Sequence, residues 1–199
     1  NSGDWSGWLR RAIGGLSVDD PSSARILQLL GQGRLATCNY DDVLTNADYP
    51  PVPWTRAPDV IRVLGGEDRG VIHLHGHWKT PESVVLGYGA YDDVLKSEAA
   101  QSLQRSVAAL SSLVFVGFGS GLEDPNFAAL LEWMARVFSG REAHHFRLVR
   151  DAELAGAPST LAKQRVATLA YGAAHSDLPG YLRRLAAEAG LSVGPPDPR

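Results

Sequence analysis

Three of the chain's six histidines, His73, His75 and His77, stand at alternate positions in the stretch VIHLHGHW, Val71 to Trp78. Imidazole ionises near neutral pH, so it suits proton transfer and metal binding. Two arrangements follow. Three imidazoles on one face of a strand, plus water, would make a catalytic zinc site. Alternatively, His75 alone, held before the turn at Gly76, would act as a base. Gly76 ends the strand, so His77 need not share the face. No Asp or Glu lies close by to orient a metal-bound imidazole. On that reading His73 and His77 are partly exposed neighbours.

Two further apolar runs end in polar groups. ATCNYDD (36–42) offers the Asn39 amide and Asp41 as a second acceptor. VGFGSGLEDPN (116–126) offers Gly117, Gly119 and Gly121, which permit close backbone approach, and N–H groups at a helix start that could receive a phosphate or ribose hydroxyl. No Lys follows as in a Walker loop, and Leu122 interrupts a full G-x-G-x-x-G. Ordinary alternatives exist for both stretches. Asn39 and Asp41 could cap a strand-to-helix turn, and Asp124 could cap a helix with Pro125 in its first turn.

The elements that must position these groups follow from periodicity. Trp5 to Ile13 has apolar residues at helical spacing and stops at Gly14–Gly15. Ser22/Ser23 should cap a helix over Ala24 to Leu30. Arg34 to Asn39 reads as a strand. Residues 46–58 read as loop, because Pro50, Pro51, Pro53 and Pro58 deny regular hydrogen bonding. Val60 to Leu64 fits either a short helix or a strand. Val84 to Gly87 is a further short strand, and Tyr91 to Leu110 one long helix. Leu113 to Val116 is apolar throughout, the pattern of a central parallel strand buried on both faces. A helix over Phe127 to Phe138, strands over Phe146 to Val149 and Val166 to Tyr171, and a closing helix from Leu178 to Ala189 complete the order. This alternation predicts an α/β fold: a parallel sheet with helices on both faces, and three motifs converging at the carboxyl ends of its strands.

At 199 residues the chain suits one domain, 1–193, with a disordered tail over 194–199. A net charge of −3 and scattered basic residues argue against direct nucleic-acid or membrane binding. Cys38 is the single cysteine, so no disulfide and no cysteine-based zinc site can form within the chain. Together with the absence of any membrane-length apolar run, this predicts a reduced, cytoplasmic setting.

Taken in order, the three motifs resemble the sirtuin-like (SIR2-like) NAD-binding domains, and most closely the branch of bacterial antiphage-defence NAD hydrolases. Thr37 to Leu44 is similar to that family's T-T-N-Y-D motif, and Leu74-His75-Gly76 to its catalytic L-H-G. Val116 to Phe127 is similar to the ribose-contacting G-x-S segment and the D-P-N helix start. Tyr171 to Leu185 resembles the last strand and helix. The resemblance runs over about residues 34–190. It implies a Rossmann-like, zinc-free sirtuin-like domain. Two departures accompany it. The four-cysteine zinc module of the deacylases is absent, which favours the hydrolase branch. The family's Gly-Ala-Gly-x-Ser phosphate segment is also absent, so the expected domain lacks its N-terminal strand.

The resemblance implies NAD+ as substrate, with no metal, and cleavage of its nicotinamide–ribose bond. It assigns catalysis to His75 and Asn39, and NAD contacts to Thr37, Asn39, Tyr40, Asp41, His75, Gly117, Gly119, Ser120 and Asp124, with Tyr171 beside the adenine. It also implies a homo-oligomer or larger defence assembly. The alternatives are an NAD- or ADP-ribose-binding module, a sirtuin-type deacylase, and a metal-dependent hydrolase using His73, His75 and His77.

Overall fold

The computed structural model describes residues 2–119, 124–137, 144–156, 161 and 164–192. The chain forms two compact units, Asn1–Ala90 with Leu182–Arg199, and Tyr91–Tyr181. Among the described residues no helix is long and apolar enough to cross a membrane. The expected tail, residues 194–199, lies outside the described residues.

The first unit carries helix α1 (Ser2–Ala12), helix α2 (Ser22–Gly31), strand β1 (Leu35–Thr37), strand β2 (Pro51–Pro53), helix α3 (Ala57–Gly65) and strand β3 (Val71–His73). Its sheet has the order β1-β3-β2, with both pairings parallel. β3 is central, and Val71, Ile72 and His73 are all buried. α2 packs against β1 and α3 against β2, placing Ile26, Val60 and Val63 in the core. Residues 60–64, which suited helix or strand, belong to α3. The helix at 22–31 forms without the expected serine cap. Pro21 is its N-cap residue, and Ser22, already helical, bonds the Asp20 carboxylate.

Strand β2 lies inside the proline-rich segment expected to be loop. Its register explains the exception. The Pro50 carbonyl accepts from the Val71 N–H and the Trp54 N–H donates to the His73 carbonyl, so the even-numbered positions face β3. Pro51 and Pro53 face away from β3, towards the edge of the sheet among the described residues, where a missing N–H costs nothing. By contrast, Val84 to Gly87 is not a strand. It follows a 3-10 turn at Pro81–Ser83, and the backbone groups of Val85 bond His75 and Tyr40 instead of a neighbouring strand.

Helix α4 (Tyr88–Lys96) leads out of the first unit in sequence. The second unit holds α5 (Glu98–Leu110), β4 (Val114–Val116), α6 (Pro125–Val137), β5 (His145–Val149), α7 (Asp151–Leu154), β6 (Val166–Ala170) and the start of α8 (Leu178–Glu188). The single helix expected over 91–110 is broken at Ser97. That side chain accepts the Ala100 N–H at 3.3 Å and starts α5 as a new helix. The sheet is parallel, with the order β4-β5-β6. β5 rather than the more apolar β4 is therefore central, and Val114 is 47% exposed. Ala108 of α5 packs with Leu130 and Met134 of α6, with Leu113 and Trp133 against them.

The observed architecture is thus the expected Rossmann-like α/β class, with its parallel strands in two sheets of three.

Candidate active site

Parallel pairing of β1 with β3 puts Thr37 beside His73, so the segments that follow leave the sheet side by side. One is residues 38–42, with Asn39, Tyr40 and Asp41. The other is the turn 74–80, with His75. They are fastened repeatedly. The Leu74 N–H donates to the Thr37 carbonyl at 2.9 Å and the Trp78 N–H to the Tyr40 carbonyl at 3.0 Å. His73 Nδ1 lies 2.9 Å from the Asn39 carbonyl, which can only accept, so this nitrogen carries the proton. Thr37 is buried, and its Oγ1 accepts the Asn39 N–H at 3.1 Å. Asn39 is therefore held at both backbone groups, while the residue itself is exposed.

Val85 joins the two segments from below. Its N–H donates to the His75 carbonyl at 2.8 Å, and its carbonyl accepts the Tyr40 hydroxyl at 2.8 Å. Fully buried, this one peptide stretch sets His75 and Tyr40 relative to one another. His75 is 6% exposed. The turn that carries it depends on Gly76, at φ +87°. A Cβ there would lie 2.1 Å from the Ser83 carbonyl oxygen, a backbone atom. Asp41 Oδ1 accepts the Val43 N–H at 3.0 Å, so one of its oxygens serves the local turn.

His73 and His77 are not the partly exposed neighbours that the sequence led us to expect. They are 0% and 1% exposed, with rings edge to face at 4.6 Å. Strand pairing ends at His73, and the chain turns at once, which folds His77 back over the β3 end. His77 Nε2 lies 3.0 Å from Asp42 Oδ1, and His77 Nδ1 accepts the Lys79 N–H at 3.4 Å. Trp78 Nε1 donates to Asp42 Oδ2 at 2.8 Å, and Lys79 Nζ lies 3.0 Å from the same oxygen.

The electrostatics follow from this packing. Burial lowers the His73 pKa to about 4, with the neighbouring His77 adding to the effect. Burial also holds His77 below its usual value, against the pull of Asp42. Burial alone would raise the Asp42 carboxyl, but hydrogen bonds from Lys79, Trp78 and His77 bring it down to about 2. At neutral pH the pair is a neutral imidazole donating Nε2–H to a carboxylate. Among the described residues no three His, Cys, Asp or Glu side chains gather as a metal-ligand group.

The glycine-rich motif lies in the second unit. Gly117 and Gly119 follow β4 at φ +70° and +49°. Between them Phe118 packs on Phe115 and Phe127 at 5.2 and 5.1 Å. The Gly119 carbonyl accepts from Arg147 Nη2. Asp124 Oδ1 accepts the Asn126 N–H at 3.0 Å, and its carbonyl accepts the Ala128 N–H, so it does start α6. Asn126 is 3% exposed, and neither of its side-chain polar atoms bonds another group among the described residues. Ser120 lies outside the described residues. Tyr171 is buried after β6, with its hydroxyl 3.0 Å from His175 Nδ1.

The structure therefore brings together Thr37, Asn39, Tyr40, Asp41 and His75. Sequence reasoning passed over Asp42, Trp78, Ser83 and Val85. The doubled acid at 41–42 was the one available signal, since a single acid suffices for the local turn. Ser83 accepts the His77 N–H at 3.1 Å through Oγ, and its carbonyl accepts Trp54 Nε1 at 2.8 Å. No local pattern marks it.

The SIR2-like domain family has a model that matches residues 33–169, well over half of the chain, running through both units and all three motifs. SIR2-like domains use NAD+ as substrate, so the match carries an NAD-related function with it. With its CNYDD and LHG segments leaving the ends of adjacent parallel strands, this chain belongs to the SIR2-like domain family.

Proposed function

We propose that the protein is an NAD+ hydrolase that cleaves the bond between nicotinamide and ribose, and that it serves as an effector in antiphage defence within a homo-oligomer or larger assembly. The observation that carries this reading is the coupling of Tyr40 and His75 to the single Val85 peptide stretch. It holds the amide-and-carboxylate segment and the imidazole turn in one fixed relation, as a reaction needing both would require.

The reaction asks little covalent chemistry of the protein. The glycosidic C–N bond breaks through an oxocarbenium-like state, and nicotinamide leaves with the bonding pair. Water adds to the ribose carbon and surrenders a proton. His75 is the base that takes it. Asn39 orients the water or the ribose, and Asp41 holds the carboxamide through the oxygen not used by Val43. By the family resemblance, Gly117 and Ser120 would contact the adenine-side ribose, with Gly119 and Asp124 shaping that loop. A positioned base contributes about 10²–10⁴-fold. His75→Ala and Asn39→Ala should therefore lower nicotinamide release by at least about 10²-fold with the fold intact. Release at the wild-type rate from both variants would sink the assignment.

A second reading, an NAD- or ADP-ribose-binding module without turnover, is favoured by the local use of Asp41 and Asp124 as turn and helix-start acceptors. Thermal stabilisation by NAD+ with no nicotinamide released would decide for it.

A further inference from the structure

The loop after β1 and the turn after β3 are joined by backbone bonds near their bases. Farther out, one carboxylate joins them. We propose that Asp42 is a positioning residue, which accepts hydrogen bonds from His77 Nε2, Trp78 Nε1 and Lys79 Nζ and so locks the Asn39–Asp41 loop against the His75 turn. The proposal rests on the hydrolase reading of the same site.

The geometry is specific. Oδ1 takes His77, and Oδ2 takes Trp78 and Lys79, so both carboxylate oxygens are engaged and rotation of the group breaks a bond. The three donors are consecutive and begin immediately after Gly76. Fixing them fixes the exit of the turn that holds His75. On its own loop, Asp42 is the neighbour of Asp41 and lies three residues from Asn39. Thr45 Oγ1 donates to both its carbonyl and its Oδ1, at 2.9 and 3.2 Å, which anchors the far side.

His77 is a strut in this arrangement and not a second base. Its Nε2–H goes to Asp42, and its Nδ1 receives the Lys79 N–H. An exposed ion pair such as Lys79 with Asp42 contributes little alone. The buried His77 ring is different, because it has no water to replace a lost acceptor. Deleting the carboxylate should release both segments while leaving the sheet below them unchanged.

The test uses the full-length protein as wild type, Asp42→Ala and the isosteric Asp42→Asn. Asn keeps an oxygen for His77 but turns an amide N–H2 toward Trp78 and Lys79. Two quantities are measured: backbone hydrogen exchange over residues 38–45 and 74–80, with 145–149 as internal reference, and steady-state nicotinamide release. Both variants should exchange faster in the two segments alone. The kcat should fall about 10- to 100-fold with KM nearly unchanged, because misplacement of about an ångström costs on that scale. Wild-type exchange and wild-type kcat in both variants would overturn the proposal, as would a rise in KM with kcat unchanged. Should Asp42→Ala fail to fold, Asp42→Asn carries both measurements. If exchange rises but no protein, wild type included, releases nicotinamide, the clamp stands and the hydrolase reading falls.

Discussion

Replacing Gly76 by alanine tests how tightly the His75 turn is built. Two costs add. At φ +87° an L-residue adopts the left-handed region, at about 1–2 kcal/mol. The new Cβ would also stand 2.1 Å from the Ser83 oxygen, 2.3 Å from its carbon and 2.6 Å from the Val84 nitrogen. Those atoms are backbone and cannot swing aside. Relief requires the turn or the Ser83–Val84 peptide to move by roughly an ångström, and forced overpacking of this kind costs about 1–3 kcal/mol. The total, about 2–5 kcal/mol, is a large part of a typical domain's stability. Gly87 supplies the control. Its φ is +84°, and nothing lies within 4 Å of its added Cβ. Gly87→Ala should therefore cost only the backbone term, about 1–2 kcal/mol. Urea unfolding of the two variants isolates the clash, and nicotinamide release reports its effect on His75. Release should fall about 10²-fold or more in Gly76→Ala and stay near wild type in Gly87→Ala. Equal unfolding midpoints together with equal release would refute the packing argument.

Acid should weaken the protein well before its carboxylates titrate. His73 and His145 are buried with pKa values lowered from 6.5 to about 4, so between those values the unfolded chain binds protons that the folded chain does not. Stability then falls as pH drops from 6.5 towards 4, by up to about 3 kcal/mol from His73, with His145 adding in the same direction. The Asp42 contribution has the opposite ionic form and is lost only from about pH 4 towards 2. A urea midpoint that is flat from pH 7 to 4.5 would contradict this. Tyr40→Phe removes the hydroxyl donor to the Val85 carbonyl and should cost about 1–2 kcal/mol and lower turnover; an unchanged thermal midpoint would show that Val85 does not tie the segments. Ser97→Ala removes the cap of α5 and should cost about 1 kcal/mol with nicotinamide release retained.

Much of this was legible in the chain before its structure. Apolar runs and helical spacing marked α1, α6 and α8 and the strands β1, β3, β5 and β6, because those signals are local. The motifs CNYDD and LHG could be paired because parallel strands bring their carboxyl ends together. Where the reading failed, the deciding contact was one that apolar periodicity does not register. Pro51 and Pro53 sit in a strand because only their outer edge lacks a donor. The helix over 91–110 breaks because the Ser97 hydroxyl caps a second start.

The sequence by itself determined the α/β class and the family, and it singled out His75 and Asn39 as the candidates on which the proposed reaction rests, since each signal is written in contiguous residues. The tertiary structure decided how those groups are held. His73 and His77 are buried because the chain reverses at Gly76. Asp42 gains its role from donors 35 to 37 positions away, through its bonds to His77, Trp78 and Lys79. A side chain's period along the chain shows which face it shares. Its partners and its charge depend on what the fold packs against that face.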